Sequence, residues 1–444
     1  MLQPWNNWKT KPAKRVSATA FSLLLGTFLL RVNGGASSLM VGRFLAELAP
    51  RHGRAITSVE VGLLSVTYFI VELSLSPVMG GLSDRWGRRI FLALGPIFGL
   101  LQVTLLFFTP ADDPFPYLLS LQVLAGISSA MQVPAVLGYL ADYTSQEPEL
   151  RVRLMSFYEL VTSGGLAVGV ACAGFAWDHF SRAAFLLLAA GYLAAACCML
   201  AVPRTRQLVE HGGVRVLASR YWRLLRSPRL FIFMPAWISI FALVGIWLSS
   251  QLTFLLSVHR HMPGQLLMGS LSGAGGGGHL SLVLGSVVLF FGLCLLFWAF
   301  FLNRVPRLLL MLFSIGGIYL ACVALLGLNH SGPADRLLQI AWVLLLLVGV
   351  FAETGFAPAA LSYLADLSEG AAKDRGLLMG LYSVFLGLGQ LLGNGLGGVF
   401  AQRWGFDGLI YLTALLALVA LVALLFLFRY DRRISLGGGA GTAE

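Results

Sequence analysis

Residues 134–174 read PAVLGYLADYTSQEPELRVRLMSFYELVTSGGLAVGVACAG, and residues 358–398 read PAALSYLADLSEGAAKDRGLLMGLYSVFLGLGQLLGNGLGG. Laid over each other without gaps, Pro134, Tyr139, Leu140, Ala141, Asp142, Arg151, Leu154, Met155, Tyr158, Gly165, Gly169 and Gly174 coincide with Pro358, Tyr363, Leu364, Ala365, Asp366, Arg375, Leu378, Met379, Tyr382, Gly389, Gly393 and Gly398. Chance rarely gives so long a shared register, so the chain contains an internal repeat. Each copy covers two apolar runs and the loop between them. An even number of crossings returns a chain to its starting side, so two six-helix halves in parallel orientation follow.

The rest of the chain supplies the crossings. Hydrophobic residues make up 57% of the 444 and charged residues only 11%, too little charge to cover a soluble surface of this size. Apolar runs of about 20 residues match a helix crossing a hydrocarbon core of about 30 Å. Such runs occupy 16–40, 61–79, 90–108, 115–140, 154–176, 183–202, 230–256, 280–301, 308–328, 337–364, 377–400 and 409–428. The expected fold class is an all-α membrane protein with twelve transmembrane helices in two six-helix bundles related by pseudo-two-fold symmetry. The expected domains are an N-terminal bundle over 1–203, a basic cytoplasmic linker over 204–229 and a C-terminal bundle over 230–444.

The net charge of +11 has a topological reading. Lys9, Lys11, Lys14 and Arg15, then Arg85, Arg88 and Arg89, the stretch 204–229, Arg304 and Arg307, and finally Arg429, Arg432 and Arg433 all fall on one side of the predicted spans. Lys and Arg in short loops resist translocation, so that side is predicted to be cytoplasmic, with both termini inside and the chain integral to the plasma (inner) membrane. The first run is too long for a signal peptide and has many successors, so it reads as a retained span. No nucleic-acid partner is needed to explain the basic charge.

Cys172, Cys197, Cys198, Cys294 and Cys322 all sit inside apolar runs without metal-ligand spacing, which suits small packing residues better than a zinc site or a disulfide framework. No phosphate-cradling glycine loop ending in Lys and Ser/Thr occurs. No nucleophile, base and metal-ligand set clusters in any loop or span. An ATP-driven pump and an enzyme are therefore not expected, nor is a cofactor. The expected partners are a small-molecule solute, protons as coupling ion and the lipid bilayer, around a monomer.

The turn after the second run reads Gly80-Gly81-Leu82-Ser83-Asp84-Arg85-Trp86-Gly87-Arg88-Arg89. Here the chain resembles the major facilitator superfamily, whose signature at this place runs Gly-x-Leu-x-Asp-Arg-x-Gly-Arg-Arg/Lys. Span count, repeat and central linker extend the resemblance over essentially the whole chain. The equivalent turn of the second half, Asn303-Arg304-Val305-Pro306-Arg307, departs from the signature at its acid and its glycine. The resemblance implies a cytoplasmic gate made of Gly80, Leu82, Asp84, Arg85, Gly87, Arg88, Arg89 and Asp142. In the family the acid contacts the eleventh helix, here starting near Gly376, and a loop arginine pairs with the acid ending the fourth helix, here Asp142. Glycines allow tight turns, and Asp84 can face the positive end of an opposing helix. Charges that only fix topology are the plainer alternative.

Gly165-x-x-x-Gly169 and Gly389-x-x-x-Gly393 permit close helix packing. The drug antiporters of this superfamily carry a Gly-Pro pair and a Gly-Gly in the fifth helix. Val170 and Ala173 stand where the proline and one glycine would be, which weakens an assignment to proton-driven drug export.

Ionisable residues within spans are costly and therefore candidates for function. Arg31 lies mid-way along the first run, before Asn33 and the pair Gly34-Gly35, which suggests an interrupted helix. Glu353 precedes Asp366 by 13 residues and Glu72 precedes Gly80 by 8, which places them about 20 Å and 12 Å deep at 1.5 Å per residue. In the resembling fold helices one, four, seven and ten line a central cavity, so Arg31 and Glu353 are expected to face one path. Arginine can hold a carboxylate or phosphate by two parallel hydrogen bonds, and a poorly hydrated glutamate can carry a proton. A structural ion pair of Arg31 with Glu353 or with Glu72 is the alternative.

Gln122, Gln132, Trp237, Trp247, Gln251, Gln390 and Asn394 can bind solute or merely hold helices together. His259, Arg260 and His261 and the glycines of 273–278 read as an external flexible loop. The expected function is secondary active transport of a small organic or amphiphilic solute, made plausible as an anion by Arg31, through alternating access. Multidrug efflux and a transport-inactive sensor or scaffold are the competing readings.

Overall fold

A computed structural model describes residues 18–48, 55–110, 112–144, 148–203, 227–259, 262–273, 275–301, 305–332, 334–369 and 375–437. Lys9, Lys11, Lys14, Arg15, the stretch 204–226, Arg260, His261, Asn303 and Arg304 lie outside the described residues, as do the side chains of Arg151, Asp366, Arg375, Tyr382 and Arg433. The described residues are almost entirely helical and contain no strand. In the first half the helices are α1 Ala18–Leu48, α2 Ser58–Trp86, α3 Arg88–Phe107, α4 Pro114–Tyr143, α5 Pro148–Phe180 and α6 Ala184–Leu200. The second half has α7a Pro228–Trp247, α7b Ser250–Ser257, α8 Gly276–Phe301, α9 Arg307–Asn329, α10a Arg336–Glu353, α10b Phe356–Glu369, α11 Arg375–Trp404 and α12 Phe406–Gly437. Among the described residues, eleven stretches are long and apolar enough to cross a membrane, and one of them, Arg153–Leu200 at 48 residues, takes in most of α5 and all of α6. Twelve spans result, as the hydropathy pattern requires.

In each half the duplicated glycines sit in one of the most extensive helix pairings. α5 packs on α1 and α11 on α7a. A Cβ at Gly165 would lie 2.8 Å from the carbonyl oxygen of Phe28, and one at Gly169 would overlap that of Val32. The second half repeats this, with Gly389 against Ile238 O at 2.7 Å and Gly393 against Ala242 O. With no side chain in the way the backbones approach closely, which is what stabilises helix pairs where lipid removes the hydrophobic drive. Across the halves α2 packs on α11, α5 on α8 and α1 on α7b.

Three details differ from the sequence reading. α1 is not interrupted at Gly34-Gly35. Gly35 instead lets Leu166 O approach, where a Cβ would sit 2.5 Å away. The breaks fall at Leu248-Ser249 in the seventh span and at Thr354-Gly355 in the tenth. α1 also continues past Met40 to Leu48, taking Arg43 into the helix. Finally, the signature stretch is not an open loop, because Gly80 to Trp86 belong to α2. Gly87 alone turns the chain, at φ 100°, a conformation that a Cβ would strain.

Candidate substrate site

A cavity of about 390 Å³ lies between the halves. Helical spacing explains its lining. Thr27, Arg31, Gly34, Ser38 and Val41 recur three or four residues apart along α1, and Gln122, Ala125, Ser129, Gln132 and Val136 do so along α4. Tyr68 of α2, Gln102 of α3, Tyr158 of α5 and Tyr192 of α6 complete the first half's wall. The second half contributes Gly245, Leu248, Ser249, Ser250, Gln390 and Asn394. Arg31 is the one charged side chain among the described lining residues.

Arg31 is flanked by Tyr158 and Tyr68, with Glu72 in electrostatic reach. Glu72 accepts a hydrogen bond from Ser129 Oγ at 2.6 Å and stands behind the wall beside Tyr68. Among the described ion pairs within 4.0 Å, none joins Arg31 to Glu72 or to Glu353. The guanidinium therefore keeps donor capacity toward the cavity, since it carries five N–H donors in a fixed fork.

The other sequence candidates separate. Gln122, Gln132, Gln390 and Asn394 line the cavity, and Asn394 Nδ2 donates to Gln390 O at 2.8 Å. Glu353 does not line it. This residue ends α10a, where its backbone packs against Gly317 of α9 and its carboxylate lies near Cys322. Arg31 and Glu353 thus do not face one path in this structure. Asn33 is buried against Gly191, Trp247 Nε1 donates to Thr413 Oγ1 at 3.0 Å, and Gln251 is buried in α7b. The sequence reading missed Tyr68, Tyr158 and Tyr192. Tyr158 had a signal, being one of the positions shared by the repeat, and Tyr68 lies one helical turn before Glu72.

The two ends of the cavity differ. At the end remote from the signature, α1 and α7b meet so closely that a Cβ at Gly42 would overlap Thr253 Oγ1 and lie 2.5 Å from Ser250 O. At the signature end α4 and α10b share at most a weak contact among the described residues. There Arg88 Nη1 lies 2.8 Å from Asp84 Oδ1, and its Nε bonds Asp142 Oδ2. Arg88 is thus the arginine that meets Asp142, over Gly138. Arg89 Nη2 donates to Leu200 O at 2.6 Å. Gly80 packs on Pro134, Leu82 packs against the core of the first half, and Arg85 faces outward. Asp84 pairs with Arg88 and makes no contact with α11 among the described ion pairs and hydrogen bonds.

The sequence profile of the Major Facilitator Superfamily matches residues 16–287 and 277–442. Multidrug resistance protein 1 of Bacillus subtilis (strain 168) is 26% identical over 354 residues, 78% of this chain and 81% of that protein. Quinolone resistance protein NorA of Staphylococcus aureus (strain MRSA252) is 22% identical over 47% of this chain and 53% of its own length, so that match spans about half of the relative. Among solved structures, the nucleoside transporter NupG superposes with a TM-score of 0.70 at 15% identity, covering 93% of this chain and 98% of that one. At that identity the likeness concerns the fold.

Proposed function

The chain belongs to the Major Facilitator Superfamily of membrane transporters, and we propose that it carries a small organic anion by alternating access coupled to protons. The observation that carries this reading is the lone cation of the cavity. Arg31 stands among hydroxyl and amide side chains that can donate further hydrogen bonds, from Tyr68, Tyr158, Tyr192, Gln122, Gln132 and Gln390. A guanidinium with free donors in a poorly solvated cavity favours a carboxylate or phosphate over a cation. Glu72, behind Ser129, is the nearest carboxylate to it and is the proton-carrying group in this reading. In this scheme residues 1–203 and 230–444 rock as two bundles joined by the cytoplasmic linker 204–229, in a monomer of the plasma membrane with both termini inside. Arg88 and Asp142 then brace the cytoplasmic mouth, and the seal between α1 and α7b marks an inward-facing state.

Multidrug efflux is the second reading, and the names of the bacterial relatives favour it. The test is a thermal-shift screen of the purified protein with small carboxylates and phosphate esters against lipophilic cations, since a ligand that binds only the folded state raises apparent stability. Stabilisation by anions that disappears in Arg31→Gln is expected. Stabilisation by lipophilic cations, unchanged in Arg31→Gln, would overturn the anion reading. No shift with any compound, together with no flux in liposomes, would point to a sensor or scaffold.

A further inference from the structure

The end of the cavity remote from the signature turn is closed by an arginine that the cavity does not use. Arg43 sits near the end of α1 and is only 5% exposed. Its Nε donates to Glu47 Oε1 at 3.1 Å, its Nη2 to Gly273 O at 2.9 Å, and its Nη1 to Leu271 O. Both carbonyls belong to the connection between α7b and α8, in the opposite half of the molecule. Glu47 is held in turn by Trp177 Nε1 of α5 at 3.0 Å.

The segment that receives Arg43 is fixed from behind. Leu271 N donates to Leu256 O and Gly269 N to Leu255 O, both at 2.9 Å. Leu267 N donates to Asn329 Oδ1 at 2.9 Å, and Asn329 Nδ2 donates to the buried Asp407 at 2.8 Å. Gln265 Nε2 donates to the same carboxylate at 3.1 Å. The carbonyls of Leu271 and Gly273 are therefore presented by a braced segment rather than by a free loop.

We propose that Arg43 and these two carbonyls form a latch between the halves, which keeps this mouth shut while the other is open and releases when access alternates. Charge-assisted hydrogen bonds are stronger than neutral ones, and a guanidinium spans two carbonyls in a way that an ammonium does not. When the mouth opens, water replaces the carbonyls, so the exchange is near balance and the latch can release. It acts on the population of the two states and not on the solute, because Arg43 does not line the cavity.

The proposal rests on the alternating-access reading, and one experiment separates the two. Spin labels are placed at Asp113→Cys and Ala334→Cys, at exposed turns on this end of the two halves, after replacing the five native cysteines. Label distances are then measured by double electron–electron resonance on the full chain in liposomes. Arg43→Gln is expected to raise the population with the longer distance by about tenfold, and Arg43→Lys by less. Should Arg43→Gln fail to fold, Glu47→Gln, which removes only the carboxylate partner, is expected to shift the populations in the same direction. Two resolved distances whose populations ignore all three substitutions would overturn the latch alone. A single fixed distance in every sample, the parent included, would overturn alternating access and the latch with it.

Discussion

Replacing Gly138 by alanine tests how the signature turn is tied to the fourth helix without touching a charge. A Cβ at Gly138 would overlap Arg88 Nη1 and Cζ and lie 3.0 Å from its Nε. The guanidinium is the far end of a flexible side chain, so it moves and the backbone does not. What is lost is its contact with Asp142. The Arg88 and Asp142 side chains are 17% and 19% exposed, so their pairing exceeds a surface ion pair and falls near the about 1.5–3 kcal/mol of hydrogen bonds to charged groups. Asp84 is 54% exposed, and its share stays below about 1 kcal/mol. Alanine in a helix interior returns roughly 0.5–1 kcal/mol relative to glycine. The net effect is a destabilisation of about 0.5–2.5 kcal/mol, obtained by subtracting that gain from the lost pairing. In an Asp142→Asn background the pairing is already weakened, and the same substitution becomes neutral or stabilising. The measurement is the melting temperature of Gly138→Ala, Asp142→Asn and the double variant in one detergent, read as a double-mutant cycle. A rise in melting temperature for Gly138→Ala in the parent background would refute the reasoning.

Asp84→Asn, which removes the exposed partner of Arg88, is expected to change stability by less than about 1 kcal/mol while slowing uptake into liposomes. An unchanged rate would leave Asp84 without a gating role. Gly169→Leu and Gly393→Leu each force a side chain against a backbone carbonyl of the neighbouring helix, Val32 O and Ala242 O. Each is expected to cost about 1–3 kcal/mol or more, seen as a lower melting temperature. Because Glu353 lies away from Arg31, the stability losses of Arg31→Ala and Glu353→Gln should add to within about 0.5 kcal/mol in the double variant. A double variant more stable than either single one would restore the structural ion pair. For topology, Gly275→Cys should react with an impermeant thiol reagent in intact cells and Arg429→Cys should not.

Much of the fold was legible in the chain because membrane insertion reads local properties. Spans follow from apolar runs of sufficient length, the likeness of the halves from residues that recur in register, and the packing role of Gly165, Gly169, Gly389 and Gly393 from their spacing. Parts of the site were legible for the same reason, since a lone Arg31 in an apolar run is conspicuous wherever it ends up. The tertiary structure decided which distant residues meet. It separated Glu353 from Arg31 because the cavity face of a helix is one narrow stripe, and Glu353 ends α10a against α9. Tyr68, Tyr158 and Tyr192 came to the cavity from three helices, and no one-dimensional pattern links them. Arg43 lies beyond the first apolar run, which ends at residue 40, and only the continuation of α1 to Leu48 brings it into the helix. Its partners are backbone carbonyls some 230 residues away, and every residue except proline offers the same carbonyl with a donor beside it, so only packing selects which one is met.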